Sequence, residues 1–411
     1  MYITFRLRRL CGWLTGIVFL LSGILKVIDP VGTSLIIKEY LNFLHIGFLS
    51  GAAMPMAVAL ALLETLTGVM LVSGVFRRIT GIITLSLISF FTIITAILVI
   101  FNPVMDCGCF GEAIHLTHWQ SLIKNLIILA LCCINYVPLR HLGKPKKIKY
   151  VSAAITTLSI LAFAAYSIAY IPAMDFTDFK AGTTTAAGED AWQRKVVEEE
   201  AEDQENIEII FVYEKGSKME EFTLDNLPDS TWTFVETKTI SLNPVKAAPI
   251  LSFRDTSETY CDQMAAAGPA MVISVYDFDK VKQKKWNEIA DFLSHSQNAD
   301  FTPLLLVAQT HEGAQKLYST LEPETAQILT EYTYYSDYKT LITLNRSNGG
   351  ATYLHDGTII EKWAFQTRPS EEGLKNINLD DEVERLIRHR SATSTKFQGF
   401  MLYIFAILLL L

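Results

Sequence analysis

Two cysteines separated by one glycine, in Asp106-Cys107-Gly108-Cys109-Phe110-Gly111, are the sharpest local chemistry in this chain. Two residues of extended chain span at most about 7 Å, and a turn at Gly108, which tolerates positive φ, brings the sulfurs within the range a disulfide requires. A ring that small is strained and easily reduced, which suits exchange better than permanence. The reacting species is the thiolate, and Asp106 opposes its formation unless a cation compensates; His115 and His118 are the candidates. Three readings compete at this loop. It is a static disulfide or a pair of buried thiols; or it is a metal site, since Cys107, Cys109, His115 and His118 form a borderline-soft ligand set, though at no recognised zinc spacing; or it exchanges disulfides. His118-Trp119 also reads simply as the entry of the next helix into a membrane.

Glu64 lies in the middle of an apolar run. A carboxyl group at that depth is costly, so it must face other helices, protonated or paired, and it is either a proton partner for the cysteine pair or a conformational anchor. Lys26 is placed to snorkel or to pair with Asp29 or Glu64. Cys11, Cys132 and Cys133 read as small apolar packers, and adjacent Cys132 and Cys133 point to different helix faces. Cys261 reads as a structural thiol, with pairing to another protein as its alternative.

The elements that must position these residues follow from composition. Of 411 residues about half are hydrophobic and 19% are charged, with a mean hydropathy of +0.27. That excludes a disordered or fibrous chain. A net charge of -8 excludes the basic face that nucleic-acid binding needs. Apolar runs fall at roughly 10 to 28, 54 to 74, 79 to 101, 119 to 137 and 150 to 171, each near the roughly 20 residues that cross a bilayer. A final run from Gly399 to Leu411 is either a short sixth span or an interfacial helix. Basic residues cluster before the first run (Arg6, Arg8, Arg9), between the second and third (Arg77, Arg78) and between the fourth and fifth (Arg140 to Lys149), whereas 29 to 53 and 102 to 118 hold only Lys38. The basic segments should face the cytoplasm, so the cysteine loop and everything after residue 172 should share an extracytoplasmic, oxidising compartment. A cleaved signal peptide is the weaker reading of the first run, because Lys26-Val27-Ile28 stands where small residues would be needed.

Residues 182 to 206, rich in Thr, Ala, Glu and Asp, read as a solvated linker or an exposed helix. Beyond 247, strand patterns at Pro249 to Phe253, Ala270 to Val275, Phe301 to Val307, Ile328 to Tyr334, Ala351 to Leu354 and Thr358 to Trp363 alternate with helical patterns at roughly 280 to 295, 311 to 320, 337 to 344 and 380 to 390. Asp356-Gly357 predicts a hairpin. This α/β order resembles the thioredoxin fold. Two places depart from an active member: Gln309-Thr310-His311-Glu312, after the strand Leu304 to Val307 where the redox motif is expected, holds no cysteine, and Gly349-Gly350 stands where a cis-proline is usual.

Ser22-Gly23, Lys26, Asp29-Pro30, Glu64, Cys107-Gly-Cys-Phe-Gly, Trp119 and Lys124-Asn125 together resemble the DoxX/MauE family. The likeness is strongest to long Bacteroidetes members with a fifth helix and a periplasmic thioredoxin-like domain. It extends to Pro172 to Gly182, with Asp175-Phe176 and Phe179-Lys180-Ala181-Gly182-Thr183, to Leu341-Ile342, to Arg346-Ser347-Asn348, and to Asp356-Gly357-Thr358-Ile359 through Lys362-Trp363. The fold the resemblance implies is an all-α four-helix membrane bundle over 1–137, similar in architecture to vitamin K epoxide reductase. A basic loop and fifth transmembrane helix follow over 138–171, a linker and small β-rich region over 172–246, a degenerate thioredoxin-like domain over 247–395 and a short apolar helix over 396–411. For the MauE branch the activity it implies is support of disulfide formation in exported proteins, and for the DoxX/DoxD branch electron transfer from a sulfur substrate to quinone. The leading expectation is a thiol-disulfide or quinone-linked redox component of a bacterial inner membrane that acts on exported proteins through Cys107 and Cys109, with Glu64, by its position alone, as the candidate proton partner and the electron acceptor left open. The partners would be the lipid bilayer and an exported client or envelope protein. The competing expectation is a non-catalytic membrane scaffold whose sheet domain binds an envelope partner.

Overall fold

The computed structural model describes residues 2–101, 103, 107–114, 116–136, 146–185, 207–215, 218–223, 233–241, 249–379 and 381–410. Asp106, His115 and most of the acidic linker lie outside them. Among the described residues six helices are long and apolar enough to cross a membrane. They are α1 (Tyr2–Ile28), α3 (Ala53–Ser73) with the 3-10 turn Gly47–Ala52 before it, α4 (Arg77–Phe101), α5 (His118–Tyr136), α6 (Lys147–Ala169) and α13 (Glu382–Leu410).

Small residues bring α1 and α3 together. A Cβ at Gly23 would collide with the Thr65 backbone, and one at Gly68 with the backbone of Leu20. In lipid such close approach supplies the packing that water would otherwise drive. It also sets Lys26 of α1 opposite Glu64 of α3.

The segment 29 to 53, expected as an outer loop, contains a helix, α2 (Pro30–Phe43). Asp29 is its N-cap, accepting from Gly32 N at 2.9 Å, and Pro30 stands at its first position. An Asp cap followed by proline is a strong helix start, because the cap satisfies a free N–H and proline loses none. The short strand β1 (Cys109–Glu112) follows the cysteine turn.

After α6 the described chain forms an antiparallel sheet ordered β3 (Lys218–Thr223), β2 (Ile207–Lys215), β4 (Thr233–Ser241), and then a mixed α/β domain. The domain's elements are α7 (Gln263–Ala266), β5 (Pro269–Val275), α8 (Gln283–Asn298), β6 (Thr302–Val307), α9 (His311–Tyr318), α10 (Pro323–Tyr332), β7 (Thr333–Tyr335), α11 (Tyr338–Leu344), β8 (Gly350–His355), β9 (Thr358–Trp363) and α12 (Glu371–Leu379). Its sheet is ordered β7-β6-β5-β8-β9, with β5, β6 and β7 parallel and β8 and β9 antiparallel to their neighbours. Strand alternation divides the core. Met271, Ile273, Val275, Leu305 and Val307 pack under α8 and α12, whereas Ala270, Val272, Leu304 and Leu306 pack with Leu341 and Leu344 of α11. Both faces of β5 and β6 are therefore covered, as their uninterrupted apolar sequence requires. The β8-β9 hairpin turns at Asp356 and Gly357, both at positive φ.

Three expectations are corrected here. Ile328 to Tyr334 is mostly helix: Pro323 opens α10, Thr325 and Leu329 fall on one buried face four residues apart, and only Thr333–Tyr335 remains strand. Pro249 to Phe253 forms no strand beyond a single bridge residue at Ile250, although Leu251 and Phe253 still alternate into the core and Arg254, just beyond, exchanges backbone bonds with Tyr335. The helix near 380 to 390 and the apolar run from Gly399 are one element, α13, long and apolar enough to cross a membrane, and it starts beside the α/β domain, where Arg385 pairs with Glu361 of β9. It packs on α6, with Ser159 Oγ 2.7 Å from Tyr403 Oη and Phe163 against Phe400. The central strand of the sheet is β5, and β6, after which the sequence looks for a redox motif, lies one strand toward the edge.

Candidate functional site

Cys107 and Cys109 are brought together as thiols, their sulfurs 2.6 Å apart across the turn at Gly108, whose φ is +64°. A second glycine at positive φ, Gly111, closes the turn with its N–H on the Gly108 carbonyl at 3.2 Å. A Cβ at Gly108 would run into Ile36, so the turn lies directly against α2. Tyr40 of the same helix donates to the Cys107 carbonyl at 2.7 Å. Cys107 is 5% exposed and Cys109 is half-buried, so access from outside is to Cys109.

Below the turn lies a closed polar cluster. Lys26 Nζ donates to Glu64 Oε2 at 2.7 Å, to the Cys109 carbonyl at 2.7 Å and to Ser22 Oγ at 2.9 Å. These use all three ammonium hydrogens. Ser22 Oγ stands 2.7 Å from Glu64 Oε2 and 2.6 Å from the Cys109 carbonyl, its single proton serving one of them at a time. Side chains of Lys26 and Glu64 are 4% and 2% exposed. Of the two partners open to Lys26, the structure selects Glu64, and Asp29 goes elsewhere. The expected carboxyl is thus paired, and it reaches the cysteine turn through Lys26 and Ser22.

The two thiols are unlike. Cys109 is held well below the usual cysteine range because Cys107 donates to its sulfur, against the opposing effect of burial, and the ammonium groups of Lys124 and Lys26 add to the same direction. Lys124 Nζ also lies 4.7 Å over the Phe110 ring. Cys107 is pushed far up by the same hydrogen bond and by burial. Sulfur nucleophilicity belongs to the thiolate, so the pair is polarised into one reactive and one protonated member. In reduced protein, alkylation of Cys109 by iodoacetamide is expected to be half-maximal below the pH of about 8.5 typical of a free cysteine, with Cys107 unmodified. Peptide mass spectrometry across pH reads both sites, and a Cys109 midpoint at or above the free value would remove the charge argument.

The compensating cations are lysines, where sequence reading looked to histidines. His118 Nε2 lies 3.0 Å from the Pro103 carbonyl, at the start of α5, and His115 lies outside the described residues. Among the described residues no group of three or more His, Cys, Asp or Glu is arranged to hold a metal ion.

Residues that sequence reading gave no role complete the surroundings. Arg346, between α11 and β8, reaches into the membrane segment, donating to Asp29 Oδ2 at 3.1 Å, to Glu112 of β1 and to the Ile342 carbonyl at 3.1 Å. Its side chain is 4% exposed. Asp29 thereby divides its oxygens between capping α2 and binding Arg346. Lys38 Nζ bonds Tyr338 Oη at 2.6 Å, and Lys339 pairs with Glu39 at 3.0 Å. So α2 has the cysteine turn on one side and α11 on the other. Cys261 sits away from this site, against Phe253, and burial, followed by Asp255, pushes its thiol up.

Residues 207–242 match the model of a Domain of unknown function (DUF8463). No curated protein and no solved structure matches the chain. Residues 4–138, which carry Ser22, Lys26, Glu64, Cys107, Cys109 and Lys124, match the family model of methylamine utilisation protein MauE, and the membrane segment of this chain is therefore MauE-like.

Proposed function

We propose that this membrane protein exchanges disulfides with exported proteins through Cys109, with Cys107 as the resolving thiol. The observation that carries this reading is the geometry of the pair: two sulfurs facing at 2.6 Å, Cys107 buried, Cys109 half-buried with the Lys26 ammonium on its carbonyl, an arrangement that favours charge on Cys109 over Cys107. In the oxidising direction a client thiolate attacks Cys109 of the Cys107–Cys109 disulfide, forming a client–Cys109 bond and releasing Cys107, which takes up a proton. A second client thiolate then attacks its own mixed-disulfide sulfur and releases Cys109. The client gains one disulfide, and the two electrons remain on the reduced pair. Return to the disulfide would need a two-electron acceptor, for which a quinone is suited; the Cys107 thiol gives up its proton and the acceptor's second proton comes from solvent. Glu64 enters as a positioning residue, since it fixes Lys26, and Lys26 holds the Cys109 carbonyl and the charge beside its sulfur.

The α/β domain fits a thioredoxin-like topology without that chemistry. In its sheet order the redox-motif position follows β5, at Tyr276 to Lys280, and neither that segment nor Gln309 to Glu312 contains cysteine. At the place of the usual cis-proline, Gly349 has φ +83° and donates to the Ser274 carbonyl at 2.7 Å. We assign the domain a docking role on α2, facing the periplasm as the charge asymmetry predicts.

In Cys107→Ser the Cys109 thiolate can still attack a client disulfide, releasing one client thiolate, but no Cys107 thiol remains to resolve the bond, so mixed disulfides with exported proteins are expected to accumulate, visible on non-reducing gels and absent from the double Cys107→Ser/Cys109→Ser variant. A second reading, a membrane scaffold for an envelope partner, draws on the near-complete burial of Cys107. It is favoured if neither single cysteine variant traps a client.

A further inference from the structure

A cavity of about 660 Å³ opens where α6, α13 and the chain after α6 meet the α/β domain. Its two ends differ in chemistry. One is aromatic, formed by Phe163 of α6 with Phe400 and Tyr403 of α13, whose ring centroids stand 6.1 and 6.0 Å from that of Phe163. The other is cationic, with Lys180, Arg390 and Lys396 on its wall. Lys362 and Arg346 also border it, but their charges are matched by Asp175 at 2.6 Å and by Asp29 and Glu112. Lys180, Arg390 and Lys396 have no carboxylate at ion-pair distance among the described residues, and Arg390 makes only a long contact, 3.5 Å, to the Gly182 carbonyl.

We propose that this cavity binds an anionic phospholipid, its phosphate headgroup among Lys180, Arg390 and Lys396 and its upper acyl chains along Phe163, Phe400 and Tyr403. The place fits that ligand. Lys396 stands three residues before the apolar run that begins at Gly399, so the change from cationic to aromatic wall occurs where α13 turns apolar. From Arg390 to Tyr403 the α13 wall is about 20 Å long, enough for a headgroup, its glycerol and the first part of the chains. A neutral ring ligand would leave three cations without counter-charge. A free phosphate would fill only the polar end and leave the aromatic end unused. Each basic side chain near a membrane surface contributes attraction to anionic lipid, and here three converge on one cavity.

The test uses the full-length protein in neutral detergent, titrated with phosphatidylglycerol, phosphatidylcholine or water-soluble glycerol phosphate and read by native mass spectrometry. Phosphatidylglycerol is expected to bind more tightly than phosphatidylcholine, and Arg390→Gln/Lys396→Gln to weaken it about thirtyfold while leaving phosphatidylcholine unchanged. Both side chains are exposed, so folding should survive. Lys180→Gln, on a separate segment, gives an independent reading with an expected loss of about fivefold. Equal affinity for the two lipids, or unchanged phosphatidylglycerol binding in these variants, would overturn the proposal. Glycerol phosphate binding as tightly as the lipid would also overturn it, identifying a soluble phosphate ester as the occupant.

Discussion

Arg346→Met is expected to destabilise the joint between the α/β domain and the membrane segment by about 3–5 kcal/mol, the range seen when one partner of a buried ion pair is removed. The wild-type guanidinium is almost fully buried between Asp29 and Glu112. Methionine fills much of the same volume but leaves two carboxylates facing each other without a cation. Burial already pushes the Glu112 carboxyl above its ordinary range, and Arg346 is the main group opposing that rise. Without Arg346, Glu112 should take up a proton on folding. A carboxyl whose folded value is raised contributes stability fully present below its unfolded value and lost as pH rises through the folded one. The defect should therefore be smallest in mild acid and largest at neutral pH. Thermal melting of detergent-solubilised protein, with limited proteolysis to report release of the α/β domain, follows both. Adding Glu112→Gln should recover part of the loss at neutral pH by removing the charge. A variant that melts as wild type at every pH would show that Arg346 does not hold the joint.

How far these groups can be found from sequence depends on how local they are. The spans are legible because a helix in lipid must hide its backbone, which imposes long apolar runs. The cysteine pair is legible because one intervening glycine fixes its reach. The partner of Lys26 is not. Asp29 is a near neighbour in sequence and invites a local pairing, whereas Glu64 arrives only because Gly23 and Gly68 let α1 and α3 approach. Arg346 is further from view: it lies more than three hundred residues from Asp29, and nothing in its own surroundings requires a carboxylate. The helix α2 did carry a signal, the Asp29 cap with Pro30, but a segment of mixed polarity between two spans reads as loop when span length is the guide. The stretch Ile328 to Tyr334 shows the opposite failure, since a short apolar run has no period long enough to separate strand from helix. Seven of the residues that carry the family resemblance, Ser22, Lys26, Asp29, Glu64, Asp175, Arg346 and Lys362, are joined into polar contacts at the base of the cysteine turn and across the joint.

Lys26→Met is expected to have an effect of similar size on stability and a second effect that stability does not explain. Glu64 would be left in the bundle with only Ser22 to bind it, and the Cys109 carbonyl would lose one of its two donors. Loss of one partner from such a pair costs about 3–5 kcal/mol, whereas replacing both by apolar groups of similar volume is often neutral. Lys26→Met/Glu64→Leu should therefore melt close to wild type. If the pair were only an anchor, that double variant would behave normally in every assay. Lys26 also contributes to holding Cys109 as thiolate, so the alkylation midpoint of Cys109 should move up in the stable double variant as well as in the single one. Lys124→Gln, which removes the stronger of the two cations acting on that sulfur, should move it further. A double variant with restored melting and an unchanged Cys109 profile would reduce Lys26 and Glu64 to structural roles and leave Lys124 as the cation that tunes the thiol. A restored fold with a shifted profile ties the buried ion pair to the chemistry at the turn, because what then differs is the ammonium charge near the sulfur and its donation to the Cys109 carbonyl.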